Sequence, residues 1–319
     1  MMTRKKILYI LLGFIVLSFC LYANSIKGNF VYDDFFFADR QELKNSGHFD
    51  NLWLESYIPD NNTAGAFRPL TIFSFALNFN LFGGSTTSFH ITNIVLNGLN
   101  SFLLFLIIFQ LFKNLKLAAI SAVIFMFFPI HTQAVAFIKS RDELLGTFFV
   151  LSSWLVFLRA MRLENDFKRI LASSLLFFLA LLSKEHFIIV PAVFIFIQYC
   201  LGKPRLIGLL KIAICYLPVT LIYFTMRYAT LGKYTFGNTI LLFVINPLQN
   251  ATFPAKIWTP FKIAYIYISE TFIPHNLSAT YSFNHLTLVV NPFTSPSVLL
   301  GILMLTILIV LIFSKKLRI

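Results

Sequence analysis

The sequence predicts an all-α polytopic membrane protein. Three observations carry that prediction. Of 319 residues, 58% are hydrophobic and only 12% charged, against roughly 25% charged in ordinary soluble domains. Apolar runs recur along the whole chain, and the basic residues gather at their ends. Mean hydropathy is +0.78. The formal charge of +13 would suggest nucleic acid in a soluble protein, but this distribution assigns it to membrane orientation, so no nucleic-acid partner is expected. The 39 Phe residues suit helices packed against acyl chains. Cys20, Cys200 and Cys215 lie inside apolar runs without paired spacing, which reads as core filling rather than a disulfide framework or zinc site.

The first run, Ile7 to Ala23, follows Arg4, Lys5 and Lys6. It is about long enough to cross and has no clear small-residue cleavage site, so it reads as a retained anchor with a cytoplasmic N-terminus. Further runs lie near residues 90–112, 117–138, 144–158, 170–183, 187–201, 206–226, 257–273 and 297–314. Several are shorter than the ~20 residues of a straight crossing. With the first end inside, Lys113, Lys116, Arg159, Arg162, Lys168, Arg169, Lys203, Arg205 and Lys211 fall on the cytoplasmic side, as the positive-inside rule requires. Most acids, from Asp33 to Glu270, fall outside. Nine crossings would place Lys315, Lys316 and Arg318 outside against the rule. Either 257–273, with Lys256, Lys262, Pro260 and Glu270, does not cross, or 237–249 crosses in addition. About eight to ten spans are expected.

Residues 24–89 form the first and longest outer loop, in which Asp34 to Asn45 and Phe49 to Tyr57 mix aromatic and acidic residues as short interfacial helices do. No repeat or soluble domain is visible, so residues 1–319 read as a single membrane module.

Four polar constellations interrupt this apolar chain, all on the outer side. Asp33 and Asp34 follow Tyr32 just beyond the first span; a carboxylate at that boundary can take a proton from a hydroxyl if its surroundings tune it, although an Asp pair is more often a solvated turn. Arg68, in Phe67-Arg68-Pro69-Leu70, is a fork suited to phosphate, or else an arginine that snorkels to the interface. His90 and Asn93 share a helix face three residues apart, for function or for interhelical hydrogen bonding. Pro129-Ile130-His131-Thr132-Gln133-Ala134 runs on to Lys139, Arg141, Asp142 and Glu143, where cations could hold a phosphate and acids align them. Ser183-Lys184-Glu185-His186 places charges within an almost continuous apolar stretch, where such groups line cavities or pair with each other.

In this order the motifs resemble the transmembrane O-mannosyltransferases that carry tetratricopeptide repeats: Tyr32-Asp33-Asp34, Phe67 to Leu70, Phe89-His90 with Asn93, Pro129 to Ala136, Arg141 with Glu143-Leu144-Leu145, and Ser183-Lys184-Glu185, then Asn246-Pro247-Leu248 and Pro274 to Ser282. The resemblance covers the membrane part, here without the repeats, the chain ending at Lys315-Lys316-Leu317-Arg318-Ile319. It implies a C-type glycosyltransferase fold. The implied reaction transfers a sugar, mannose or another hexose, from a polyprenyl-phosphate carrier to an extracytoplasmic hydroxyl with inversion. Asp33 or Asp34 would be the base. Arg68, Lys139, Arg141 and Lys184 would hold the donor phosphate, supported by His90, Asn93, His131, Asp142, Glu143 and Glu185. Thr280 stands where family members often have Asp, and without the repeats the acceptor is left open to a protein, a glycan or a lipid.

The competing class is a transporter or flippase of lipid-linked sugars, whose sign would be broken or charged mid-membrane segments in matched halves; no such repeat is visible. No ligand set demands a metal, although acids of the outer loops leave room for a divalent ion. The sequons at Asn61, Asn250 and Asn276 matter only in a compartment that glycosylates them. Composition leans towards a bacterial cytoplasmic membrane; the endoplasmic reticulum membrane would preserve the same topology.

Overall fold

The structure, a computed structural model, describes residues 3–44, 51–54, 56–57, 66–162, 166–200, 206–235, 246–275, 277–278, 281 and 285–313. Among them the regular elements are all helical. In chain order the helices are α1 (Arg4–Tyr22), α2 (Phe35–Ala38), α3 (Gln41–Lys44), α4 (Pro69–Phe82), α5 (Thr86–Phe112), α6 (Leu115–Phe127), α7 (Thr132–Ala136), α8 (Arg141–Arg162), α9 (Phe167–Ser183), α10 (Val190–Cys200), α11 (Leu206–Leu231), α12 (Phe253–Phe272) and α13 (Pro296–Phe313). Short 3-10 turns connect several of them.

The chain is an all-α integral membrane protein. Among the described residues three stretches are long and apolar enough to cross, Arg4–Lys27, Thr86–Phe112 and Ile138–Met161, with a fourth if Leu115–Phe127 and Pro129–Ala136 form one broken span. Pro69–Phe82, Glu185–Ile197 and Pro296–Val310 are apolar but shorter. Among the described residues the three or four long stretches are fewer than the eight to ten spans expected, and helices such as α9, at 17 residues, are too short for a straight crossing. The run expected over 117–138 bends by 53°. Phe128 leaves the helix at ψ +119°, as a residue before proline does, and Pro129 starts the next turn. α12 is interrupted by Lys256, Lys262 and Glu270 and contains Pro260, the features that made its crossing doubtful. Most of the alternative crossing at 237–249 lies outside the described residues.

Two compact units result, one of residues 1–196 and 204–238, the other of residues 197–203 and 239–319. In the first, α1 lies against α5 where Gly98 replaces a side chain. A β-carbon there would meet the Ile15 Cα at 2.9 Å, and nearby the Ser18 hydroxyl donates to the Ile94 carbonyl at 2.8 Å. Small residues and interhelical hydrogen bonds are how helices associate in lipid. α8 and α9 join through Ser153 and Ser173, whose hydroxyls reach each other and the Tyr216 hydroxyl of α11. Phe157, Phe177, Phe194 and Tyr223 fill the space around them.

α4 lies inside what the sequence reads as the outer loop. Thr71, Ser74, Asn78 and Asn80 dilute its apolar run, and 14 residues are too few to cross. Pro69 starts it, and Gly83, at φ +68°, caps it by donating to the Phe79 carbonyl. Its Ile72, Phe75 and Phe79 pack with Phe37, Leu43, Tyr57 and Phe89, so the loop is a folded layer rather than a strap. The short helices expected in 34–45 are present as α2 and α3.

In the second unit α13 approaches α12 at Gly301. A β-carbon there would sit 2.0 Å from the Phe261 carbonyl oxygen, and backbone cannot step aside. Gly301→Ala is expected to prise the pair apart and lower the melting temperature of the detergent-solubilised protein, at an overpacking cost of ~1–3 kcal/mol. A variant melting with the wild type would contradict this contact.

Candidate functional site

After α1 and a 3-10 turn over Ala23–Lys27, the chain runs past Gly28 into a tight turn at Tyr32–Asp34. Gly28 is required by His90: a β-carbon at 28 would lie 2.9 Å from the His90 Nε2. His90 itself is buried. The Val31 N–H donates to Asp34 Oδ2 at 3.0 Å, and the Asp34 N–H returns a bond of 3.0 Å to the Val31 carbonyl. Asp34 Oδ1 accepts the Lys139 N–H at 2.8 Å. Asp34 is therefore a brace, buried at 1% exposure, tying the turn to the 3-10 segment Ile138–Ser140. Burial pushes its carboxyl up from the ordinary range, against the two amide bonds, with the neighbouring Asp33 charge adding to the rise and Lys139 opposing it. Asp33 faces outward with 46% of its side chain exposed and pairs with Lys139 Nζ at 2.8 Å.

Asn93 and Arg141 hold the other side of that segment. The Asn93 amide donates to the Phe137 carbonyl at 3.2 Å, and its oxygen accepts from Arg141 Nε at 3.0 Å. Arg141 has no exposed surface. Its remaining nitrogens donate to the carbonyls of Ser74 and Phe89, each at 3.2 Å. The guanidinium lies 4.6 Å from the Phe75 ring centroid and 5.2 Å from that of Phe89. This corrects the sequence expectation for Arg141. Sealed among carbonyls and rings, it locks α4, α5 and the start of α8 together and has no surface to offer a phosphate.

The next two residues of α8, Asp142 and Glu143, open an ionic cluster. Arg68, the residue preceding α4, reaches Glu185 through two bonds, Nε to Oε2 at 2.9 Å and Nη2 to Oε1 at 2.8 Å. Its third nitrogen reaches Asp142 Oδ2 at 2.5 Å, and its guanidinium covers the Tyr57 ring at 4.7 Å. Lys184 bonds Glu143 and lies 3.2 Å from Asp142 Oδ2. The His186 Nε2 stands 3.4 Å from Glu143. The Thr71 hydroxyl donates to the Ser183 carbonyl at 3.0 Å, fastening α4 to the end of α9 beneath the cluster. Lys139 and Lys184 are the more open cations, with 26% and 18% of their side chains exposed. Both already face carboxylates, Lys139 that of Asp33 and Lys184 that of Glu143.

Burial would raise the Glu185 carboxyl, but the hydrogen bonds and charge of Arg68 outweigh it and hold it down at about 2, from an ordinary 4.5. Between those values the unfolded chain binds the proton that the folded one refuses. This part of the stability is complete above about pH 4.5 and is lost as pH falls towards about 2. Glu185→Gln is expected to flatten the fall of melting temperature on acidification through that window; an unaltered acid slope would contradict the pairing.

Most of the residues expected at the site thus converge in two linked groups. Asp33, Asp34, Lys139, Asn93 and Arg141 form one, and Arg68, Asp142, Glu143, Lys184 and Glu185 the other. His131 joins neither: its Nδ1 lies 2.8 Å from the Phe125 carbonyl and its ring 4.6 Å from that of Phe125, where it fastens the bend between α6 and α7. Thr280 lies outside the described residues. The sequence reading missed Tyr57, beneath Arg68, and Arg227. Arg227 acts electrostatically on Glu185 and donates to the Thr235 carbonyl and the Tyr223 hydroxyl at 3.0 and 3.1 Å. An arginine within the 26-residue apolar α11 was the available signal. Among the described residues no group of three or more His, Cys, Asp and Glu is arranged to hold a metal.

The family model described as dolichyl-phosphate-mannose-protein mannosyltransferase matches residues 67–231, just over half of the chain and the stretch containing the whole ionic cluster. Protein O-mannosyl-transferase TMTC3 of Homo sapiens is 30% identical over 150 residues, covering 46% of this chain and 16% of that protein. Protein O-mannosyl-transferase TMTC4 of Mus musculus is 28% identical over 172 residues, 48% of this chain and 23% of its own length. Protein O-mannosyl-transferase F38B6.6 of Caenorhabditis elegans is 30% identical over 184 residues, 55% and 26% respectively. The matched part is thus about a quarter or less of each relative. These three are animal proteins and lend no support to a bacterial membrane. No solved structure matches the chain. From the matched family model and these relatives, the chain belongs to the dolichyl-phosphate-mannose-protein mannosyltransferase family, with the transmembrane O-mannosyltransferases as its kin.

Proposed function

We propose that the chain is a glycosyltransferase that moves a hexose, mannose first among them, from a polyprenyl-phosphate carrier to a hydroxyl on the extracytoplasmic side of the membrane. The observation that carries this reading is the outward Asp33 carboxylate, held on a braced turn and paired with Lys139, beside an ionic cluster in a chain of the mannosyltransferase family. Asp33 takes the proton of the acceptor hydroxyl as that oxygen bonds to the anomeric carbon. The bond from that carbon to the phosphate oxygen breaks on the opposite face, the configuration inverts, and polyprenyl phosphate leaves as an anion.

Such a leaving group needs positive charge more than an acid. Lys139 and Lys184, partly open, take up the phosphate charge by exchanging it for Asp33 and Glu143, while Arg68 stays clamped between Asp142 and Glu185 and keeps both lysines' surroundings in place. Asp34 and Arg141 act as positioning residues. The names of the relatives favour a protein hydroxyl as acceptor; a glycan or lipid hydroxyl would meet the same chemistry. Membranes containing the chain, supplied with polyprenyl phosphate carrying a radiolabelled mannose, should release the label from the lipid into a polar product. Label that crosses the bilayer still attached to its lipid would instead mark a transporter.

A further inference from the structure

The turn that presents Asp33 also presents an aromatic ring. Among the described residues two that are not glycine adopt a left-handed backbone, Tyr32 at φ +48° and Lys113 at φ +57°. Lys113 caps α5 and donates to the Phe109 carbonyl, an ordinary use of that conformation. Tyr32 ends no helix. It is held in place by the reciprocal Val31–Asp34 bonds and by the Lys139 amide on Asp34. Left-handed backbone is costly for a residue with a β-carbon and a ring. Burial gives nothing back here, because the Tyr32 residue is 84% exposed. A strained residue kept by a brace and returning no packing in the free protein has its use in a complex.

The chemistry of that complex follows from its neighbour. In displacement at an anomeric carbon the attacking oxygen, that carbon and the leaving oxygen lie nearly in line, and the base hydrogen-bonds the attacking hydroxyl a few ångströms from the carbon. A ring one residue before the base is therefore within reach of the hexose being transferred. One face of a pyranose is rich in C–H groups and packs on an aromatic face, while its hydroxyls seek polar partners. We propose that Tyr32 is the platform on which the transferred hexose of the donor rests, so that the site reads the sugar as well as the phosphate. This rests on the reading of Asp33 as the base. An exposed tyrosine near a membrane can also serve as a headgroup anchor, and the test separates the two.

The full chain, in nanodiscs, would be titrated with polyprenyl phosphate bearing mannose and with polyprenyl phosphate alone. The wild type should bind the mannosylated lipid more tightly. Tyr32→Ala and Tyr32→Gly should each weaken binding of the mannosylated lipid by roughly tenfold, about 1.4 kcal/mol, and leave binding of the bare lipid unchanged. Tyr32→Phe should keep the preference. Glycine relieves the left-handed strain that alanine keeps, and unchanged binding of the bare lipid shows the phosphate side of the site intact in both variants. Equal weakening towards both lipids, or wild-type preference in the alanine or glycine variant, would overturn the platform. Asp33→Asn should retain the mannose preference while losing transfer. A wild type that prefers the mannosylated lipid but never transfers would sink the transfer reading and leave the platform standing; transfer without any mannose preference would do the reverse.

Discussion

Asp33→Asn is expected to lower transfer by about 10²–10⁴-fold, the usual contribution of a positioned general base, with little change in melting temperature. Asparagine keeps the size of the side chain, and an outward group with 46% of its surface exposed contributes little to the fold through a single ion pair. The partner variant separates the two carboxylates. Asp34→Asn retains one acceptor for two backbone N–H groups, so activity and melting temperature should fall together. Transfer lost in Asp34→Asn at unchanged melting temperature, with Asp33→Asn still active, would make Asp34 the base, and equal transfer by wild type and Asp33→Asn would remove the mechanism.

Arg68→Gln is expected to destabilise the protein by no more than about 3 kcal/mol, the low end for breaking a buried ion pair. Asp142, with 1% of its side chain exposed, keeps Lys184 at 3.2 Å, and Glu185, with 33% exposed, is reached by water. Lysine should recover only part of the loss, because one ammonium cannot bond both oxygens of Glu185 and still reach Asp142. The measurement is chemical or thermal unfolding of the purified protein in detergent. A glutamine variant as stable as the wild type would show that Arg68 and these acids are not paired.

Much of this was legible in the chain itself because a membrane protein advertises its polar residues. α1, α5 and α8 stand out as apolar runs with cations at their ends. Asp33, Arg68, Asn93, Lys139 and Lys184 stand out because ionisable and amide groups are expensive near lipid. What the sequence does not carry is pairing across distance. Arg68 and Glu185 meet over a separation of 117 residues, and nothing local distinguishes an arginine clamped by acids from one open to phosphate. Arg141 and Lys139 are two residues apart, yet one is sealed among Phe75, Phe89 and carbonyls while the other reaches the surface. Asp33 and Asp34 are chemically identical, and only the direction of two backbone N–H groups makes one the brace. α4 escaped notice because its polar residues, Thr71, Asn78 and Asn80, break an apolar run while their side chains bond the Ser183 carbonyl, Ser88 and the Ala76 carbonyl. His131 misled for the opposite reason: a polar side chain in an apolar setting was used locally, to fasten a bend.

The most direct measurement is the anomeric configuration of the product formed from a polyprenyl-phosphate hexose of known configuration, read by nuclear magnetic resonance. Direct attack by a hydroxyl deprotonated at Asp33 predicts the opposite configuration in the product. The same configuration, which direct attack from the face opposite the phosphate cannot give, or no glycosylated product at all, would contradict the account.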